Sequence, residues 1–157
     1  EVCVRAGNYM IEYWNKPEAT ADAFRDGWYH TGDAGYVDEE GYLYLVDRVK
    51  DMIVTGGENV YSAEVEQVLA KHPGVRMCAV IGLPDEKWGE RVVALIMPSD
   101  GHKPTQDEIV AHCRLHIAGY KVPKEVRLVD AFPMTATGKV LKRVVRDELA
   151  RAAAGKS

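Results

Sequence analysis

At 157 residues and a formal net charge of −4, the chain has room for one domain, or for one domain and part of another. Its apolar fraction of 46% is that of a soluble globule, and the absence of any basic run or aromatic–basic interleaving excludes a nucleic-acid-binding surface. The longest apolar runs, Val75 to Leu83 and Val92 to Met97, stop far short of the roughly 20 residues of a membrane span, and the three scattered cysteines favour reduced thiols in a cytoplasmic protein over a disulfide framework.

Glu1 to Arg5 alternates like a strand entered midway, closed by the turn residues Ala6-Gly7-Asn8. With no initiator Met and no signal-peptide pattern, the expectation is a piece of a longer protein. Asn15-Lys16-Pro17-Glu18 opens a predicted helix that runs to about Arg25 and stops at Gly27. Trp28-Tyr29-His30 leads into Thr31-Gly32-Asp33. Gly35 to Leu45 then has hairpin grammar around the polar turn Asp38 to Gly41. The charged stretch Asp47-Arg48-Val49-Lys50-Asp51 separates this β-rich part from the remaining two thirds of the chain.

Beyond it, Met52-Ile53-Val54 reads as a strand and Thr55-Gly56-Gly57 as a loop whose glycines free the backbone for positive φ or for close approach of a ligand. Ser62 has the chemistry of an N-cap for a helix over Ala63 to Lys71, with Val65, Val68 and Leu69 on one face. The charged switch, strand, glycine pair and helix fit a joint between two bodies, or an ordinary strand–loop–helix corner. Strands are expected next over Val75 to Leu83 and Val92 to Met97, separated by a loop through Pro84-Asp85 and Trp88-Gly89. Thr105 caps a helix over Gln106 to Ile117 with Ile109, Val110, Cys113 and Ile117 inward. A strand over Val126 to Val129, the loop Pro133 to Lys139 and a last helix from Val140 to about Arg151 complete an α+β module of normal domain size.

Several side chains are candidates for chemistry. Asp33, on a tight turn, can accept the two hydroxyl hydrogen bonds that a ribose offers, or can close an Asx-turn on its own backbone. Arg48 can present a planar fork to a phosphate or ribose oxygen, or make a surface ion pair. Lys139 can bring a point charge to an anionic reacting centre, or sit solvated in a helix's first turn, where a positive charge is mildly unfavourable. It is not a P-loop lysine, because Pro133 stands where that pattern needs glycine. His112 and His116 flank Cys113 on one helix, but no third and fourth ligand is evident, so no metal site is expected.

Three motifs in one order carry more information than any singly: Tyr29-His30-Thr31-Gly32-Asp33; Asp47-Arg48-Val49-Lys50-Asp51-Met52-Ile53 with Gly56-Gly57-Glu58-Asn59 and Glu64-Val65-Glu66; and Pro133-Met134-Thr135-Ala136-Thr137-Gly138-Lys139. Together they resemble the adenylate-forming enzymes, most closely the fatty-acid and aryl acyl-CoA ligases. Asn15 to Thr20 and Pro84 to Glu90 extend the likeness over nearly the whole chain. The resemblance implies a small mobile C-terminal α+β domain over residues 50–157, a central sheet flanked by helices. Residues 1–49 would be the β-rich end of a large N-terminal domain. It implies a two-step reaction, in which ATP and a carboxylic acid give acyl-AMP and CoA then takes the acyl group and releases AMP.

In that reading Asp33 and Arg48 bind the nucleotide, and Lys50 is the hinge. Lys139 serves adenylation, and Gly56 and Gly57 meet the pantetheine arm of CoA. Trp88 lines the same passage, with Lys121 and Lys124 at its mouth for CoA phosphates. Magnesium is implied too, with its ligand expected in the N-terminal domain. Met134 stands where many relatives carry a basic residue and Ser62 where many carry proline. The family's phosphate loop, adenine-contacting aromatic and acyl pocket have no counterpart here, so the isolated chain is expected to make no adenylate. An adenylation domain that loads a carrier protein, or a non-catalytic interaction module, are the alternative readings.

Overall fold

Two units, Glu1–Lys50 and one beginning at Asp51, make up the computed structural model, which describes residues 1–154. In the first, β1 (Cys3–Val4), α1 (Pro17–Ala23), β2 (Phe24–Arg25) and β3 (Trp28–His30) form a small antiparallel sheet in the order β1-β3-β2 beside one short helix. Proline sits in the first turn of α1, as expected, but the helix does not reach Arg25. Phe24 is already extended, and Asp26 and Gly27 come next with φ of 54° and 76°. An Asp-Gly pair with both residues at positive φ is the preferred two-residue turn between antiparallel strands, and here it prevails over the helical pattern before it.

The second hairpin of this unit, β4 (Asp33–Val37) and β5 (Leu43–Arg48), is longer than its alternation suggests, because pairing continues past a bulge at Ala34/Gly35 to Asp33 opposite Arg48. Its turn is held by the Asp38 carboxylate, which accepts from the backbone N–H of Glu40 and Tyr42 at 3.0 and 2.8 Å. Tyr36, Val37, Tyr42, Leu43, Tyr44 and Leu45 are all exposed, and Ala34 is the buried apolar residue of this unit. So little burial is far below what a domain needs to stand by itself.

The second unit is built on one hairpin. β8 (Val75–Asp85) and β9 (Gly89–Pro98) pair along their length through a turn in which the Asp85 carboxylate accepts from the N–H of Lys87 and Trp88, each at 3.0 Å. The predicted loop is therefore shorter than expected: Pro84, Asp85 and Gly89 are strand, and the turn is Glu86 to Trp88. Pro84 is tolerated because β8 is paired only to β9 and needs no second ladder partner. On its other side β9 takes β10 (Glu125–Leu128) in parallel, and at Gly89 it touches β6 (Ile53–Thr55), which pairs with β7 (Glu58–Val60).

Because β9 is buried on both faces, its alternate residues fill two cores. Val92, Ala94 and Ile96 pack with α2 (Ser62–Leu69) and α3 (Gln106–Arg114) through Val65, Leu69, Ile109 and Cys113. Val93 and Leu95 pack on the opposite face with Phe132 and with Val145 of α4 (Lys142–Ala154). Each fully buried aliphatic side chain in these layers contributes on the order of 1.5–3 kcal/mol. The central sheet flanked by helices is the α+β arrangement read from the sequence.

Four details differ from expectation. Ser62 is not an N-cap: Tyr61 holds that position, and Ser62 lies fully buried inside the first turn of α2. Strand β7 went unread because Glu58-Asn59-Val60 carries one apolar residue, although Gly56-Gly57 is a two-residue hairpin signal. Helix α3 ends at Arg114, three residues before Ile117, and α4 begins at Lys142 rather than Val140. Thr105 does cap α3, in a reciprocal box with Glu108.

Burial, reinforced by the neighbouring His112 and His102, holds the His72 imidazole below its ordinary pKa of 6.5. Its Nδ1 accepts from the Gly74 N–H at 3.1 Å. A depressed base binds fewer protons folded than unfolded, so its contribution is present above the unfolded pKa and is lost as pH falls from about 6.5 through the folded value. The chain is expected to lose stability in that window, and His72→Asn, which keeps an acceptor for Gly74, to flatten the slope. Melting curves between pH 7 and 5 read this directly, and equal slopes in the two proteins refute it.

Candidate functional site

In the first unit the cross-strand pairing of β4 and β5 sets Asp33 opposite Arg48. Arg48 Nη1 donates to Asp33 Oδ1 at 2.7 Å, with both side chains part-exposed. Gly32, at φ 73°, lets the guanidinium lie close: a Cβ there would meet Arg48 Nη2 at 3.1 Å. Asp33 is not an Asx-turn; instead its N–H donates to the Thr31 hydroxyl. Asp33 Oδ1 takes the arginine through Nη1. Tyr29 sits beside them, its phenol raised above the ordinary range by a hydrogen bond with Tyr13 and by burial. Lys50, exposed, lies in the 3₁₀ turn Val49–Asp51 where the first unit ends.

In the second unit Gly56 and Gly57 form the two-residue turn of the β6–β7 hairpin, with φ of 59° and 86°. Both positive values are what such a turn requires, and glycine adopts them at least cost. The two glycines differ in surroundings. A Cβ on Gly56 would strike the Trp88 ring at 2.9 Å, whereas one on Gly57 meets nothing within 4 Å. Gly56 N–H donates to Trp88 C=O at 2.8 Å, docking the turn on the end of the β8–β9 hairpin. Between them lies a cavity of about 150 Å³ lined by Thr55, Gly56, Glu58, Trp88, Tyr120 and Lys124.

Three residues selected in the sequence, Gly56, Trp88 and Lys124, thus meet at one cavity; of the three lining residues not selected as site residues, Thr55 and Glu58 flank the glycine pair, and the third is Tyr120. Its position directly before Lys121 was the available signal. Lys121 itself is committed elsewhere. Its Nζ lies 2.7 Å from both carboxylate oxygens of Glu64, and that hydrogen bonding, largest of the influences on it, raises the ammonium's pKa.

Lys139 stands on a loop closed tightly by its own backbone. Thr135 N–H donates to Lys139 C=O at 2.8 Å, Lys139 N–H to the Thr135 hydroxyl at 3.0 Å, and Leu141 N–H to Pro133 C=O at 2.8 Å. Gly138, at φ 80°, makes the reversal possible. The Lys139 side chain is exposed, and no hydrogen bond or ion pair of its ammonium occurs among the described residues. It is not among the residues lining the glycine-turn cavity. Just after the loop, Lys142 donates to Ser62 Oγ and pairs with Glu66, each at 2.7 Å, tying the start of α4 to α2.

His112, on α3, and His116, two residues past its end, are both engaged with backbone. His112 Nε2 lies 2.9 Å from Val68 O, and His116 Nδ1 lies 2.8 Å from His112 O. Among the described residues one cluster, Glu1, Cys3 and His30, groups three metal-ligating atoms within 4.8 Å, and Arg25 reaches within 2.8 Å of the same His30 Nδ1. A thiol, an imidazole and a guanidinium do not fit magnesium, which takes oxygen ligands. Cys78 and Cys113 are poor nucleophiles, their thiols pushed up by burial to about 12 and about 11. No helix among the described residues is long and apolar enough to cross a membrane.

Residues 64–139 match the AMP-binding enzyme C-terminal domain. The chain is 53% identical over 146 residues to a feruloyl-CoA synthase of an Amycolatopsis species, covering 93% of this chain and 30% of that protein. It is 52% identical over 148 residues to a long-chain fatty-acid CoA ligase of Mycobacterium tuberculosis, covering 94% and 29%. Among solved structures, o-succinylbenzoate CoA synthetase of Bacillus subtilis, in complex with its acyl-adenylate intermediate, superposes with a TM-score of 0.83 at 40% identity over 92% of this chain and 30% of that one. The chain spans about 30% of the length of the curated relatives it matches.

Proposed function

We propose, for a chain whose residues 64–139 belong to the AMP-binding enzyme C-terminal domain family, that it works as the C-terminal portion of an AMP-forming acid–thiol ligase. A carboxylate oxygen of the acid attacks the α-phosphorus of ATP, the bond to the bridging oxygen breaks, and pyrophosphate leaves. The CoA thiol, giving up its proton, then attacks the acyl carbon of the acyl-adenylate, and AMP departs. Asp33 and Arg48 hold the nucleotide ribose and phosphate, Lys139 offsets the charge of the first step, and Lys50 is the hinge. The β6–β7 turn with Trp88 admits the pantetheine arm, and Lys124 meets a CoA phosphate at the entrance. Lys121 joins it only by leaving Glu64.

What supports this most is that Gly56, Trp88 and Lys124, selected for one ligand, line one cavity. At about 150 Å³ it is smaller than the roughly 300–1,000 Å³ of pockets that enclose whole small molecules. It suits a segment of an extended arm rather than an entire coenzyme. The exposed tyrosines and leucines of β4 and β5 support a second element of the reading, a large domain against which the first unit packs.

The test is an assay of CoA-thiol loss and AMP release with ATP, magnesium and a panel of aliphatic and aryl acids. The 157-residue chain alone is expected to form no acyl-adenylate, and the ligase it completes with its large domain to consume thiol in step with AMP. Adenylate formation without thiol loss transfers the reading to a carrier-protein acceptor. No turnover of any acid by the completed protein overturns the enzyme reading.

A further inference from the structure

The β6–β7 hairpin is attached to its sheet by little. Only one residue pair, Thr55 with Gly89, joins β6 to β9, because β10 occupies that edge of β9 from Val93 onward. The next backbone donor along β6, the N–H of Val54, belongs to a residue that pairs with Asn59 of β7 on one side and with no residue of β9 on the other. A side chain takes that place: Glu90 Oε2 accepts from Val54 N–H at 2.8 Å. To get there the carboxylate crosses the face of β8 at Gly82, where a Cβ would stand 2.9 Å from Glu90 Cδ and 2.9 and 3.0 Å from its two oxygens. Gly82 has an ordinary backbone conformation and is buried, so its lack of a side chain serves space, not torsion. A charge-assisted bond to a backbone N–H is roughly twice as strong as a neutral one, and this one lies two residues before Gly56.

We propose that Glu90 is a positioning residue for thioester formation: its carboxylate, admitted by the bare backbone of Gly82, latches the glycine hairpin in the register that lets Gly56 and Gly57 meet the incoming arm. The inference rests on the reading of that hairpin given above. Glu90 touches no reacting atom. It substitutes for a missing ladder bond, and it does so on the one element whose misplacement would narrow the passage.

The experiment follows the two half-reactions separately in the completed ligase, with amide exchange at Val54 as the structural readout. Glu90→Ala and Gly82→Ala are expected to speed exchange of the Val54 amide. They should slow conversion of supplied acyl-adenylate and CoA to thioester by roughly tenfold or more, the scale of a small misplacement near a reacting centre, with adenylate formation kept. Glu90→Gln, which still offers an oxygen to Val54, is expected to restore both readouts.

Should Glu90→Ala fail to fold, Gly82→Ala carries the test, since the group it displaces is the free end of a flexible side chain. An unchanged thioester step in Glu90→Ala and Gly82→Ala, alongside a slowed one in Gly57→Val, overturns the latch and leaves the reading of the hairpin intact. If Gly57→Val also leaves the thioester step unchanged, both fall together. Equal losses in the two half-reactions overturn the latch as well, because they mark a general loss of structure.

Discussion

Replacing Lys139 with alanine is expected to lower acyl-adenylate formation by about two to three orders of magnitude, the scale on which removal of one preorganised charge contact acts, while conversion of supplied acyl-adenylate to thioester continues. The first step brings a carboxylate against a triphosphate, two anions that repel. An ammonium delivered between them lowers the energy of the transition state more than that of the separated reactants. The loop is suited to deliver it: Thr135 clamps both the N–H and the C=O of Lys139, so the backbone is fixed while the long side chain reaches outward. No protein carboxylate among the described residues competes for it.

Lys139→Arg keeps the charge but spreads it over a planar fork, and an intermediate rate is expected because a fork and a point charge are not interchangeable at one site. Pyrophosphate release measures the first step, and thiol loss from supplied acyl-adenylate measures the second. Equal losses in the two would place Lys139 in structure, not in the adenylation step.

The converse pattern is expected of Gly57→Val: adenylate formation retained, and thioester formation slowed by about a hundredfold, the cost of blocking a near-attack approach by roughly an ångström. Gly57 is the better of the two glycines to test. A side chain on Gly56 collides with Trp88 inside the protein, whereas the space beside Gly57 is empty of protein atoms within 4 Å, so in the proposed reading a new side chain there meets the pantetheine arm and not the protein. Its φ of 86° adds a conformational cost of on the order of 1–2 kcal/mol in the hairpin for any residue with a Cβ. That cost is separated from ligand exclusion by Gly57→Ala, which carries the strain with less bulk. Similar thioester rates for the alanine and valine variants would assign the loss to backbone strain.

Much of the second unit was legible in the sequence because its signals are local. Thr105 and Glu108 stand three residues apart and cap α3 as that spacing implies. Val65, Val68, Leu69, Ile109 and Cys113 recur at helical spacing and are all buried. Val92 to Ile96 is apolar without interruption and proves to be the strand with a core on either face. The same logic failed where two local signals competed, as at Phe24-Arg25, where the turn chemistry of Asp26-Gly27 decided the outcome. It also failed at Ser62, whose hydroxyl would cap a helix end in solvent but is buried here against Lys142, a residue eighty positions away.

For the site, residue chemistry offered Asp33, Arg48, Gly56, Gly57 and Lys139 only as candidates, each with a structural alternative, and the family resemblance is what gave them roles. It could not say that Asp33 and Arg48 are direct partners, which depends on a register carried across a bulge. Nor could it say that Lys121 is held by Glu64 while Lys124 faces the cavity, or that Glu90 accepts from the backbone N–H of Val54. The sequence by itself carried the family resemblance, the helices and the candidate groups, because motifs, periodicity, capping and side-chain chemistry act within a few residues. Only the tertiary structure decided strand order, register and the commitment of each charged group, because those depend on which distant backbone donors and acceptors are left to satisfy once the two cores have closed.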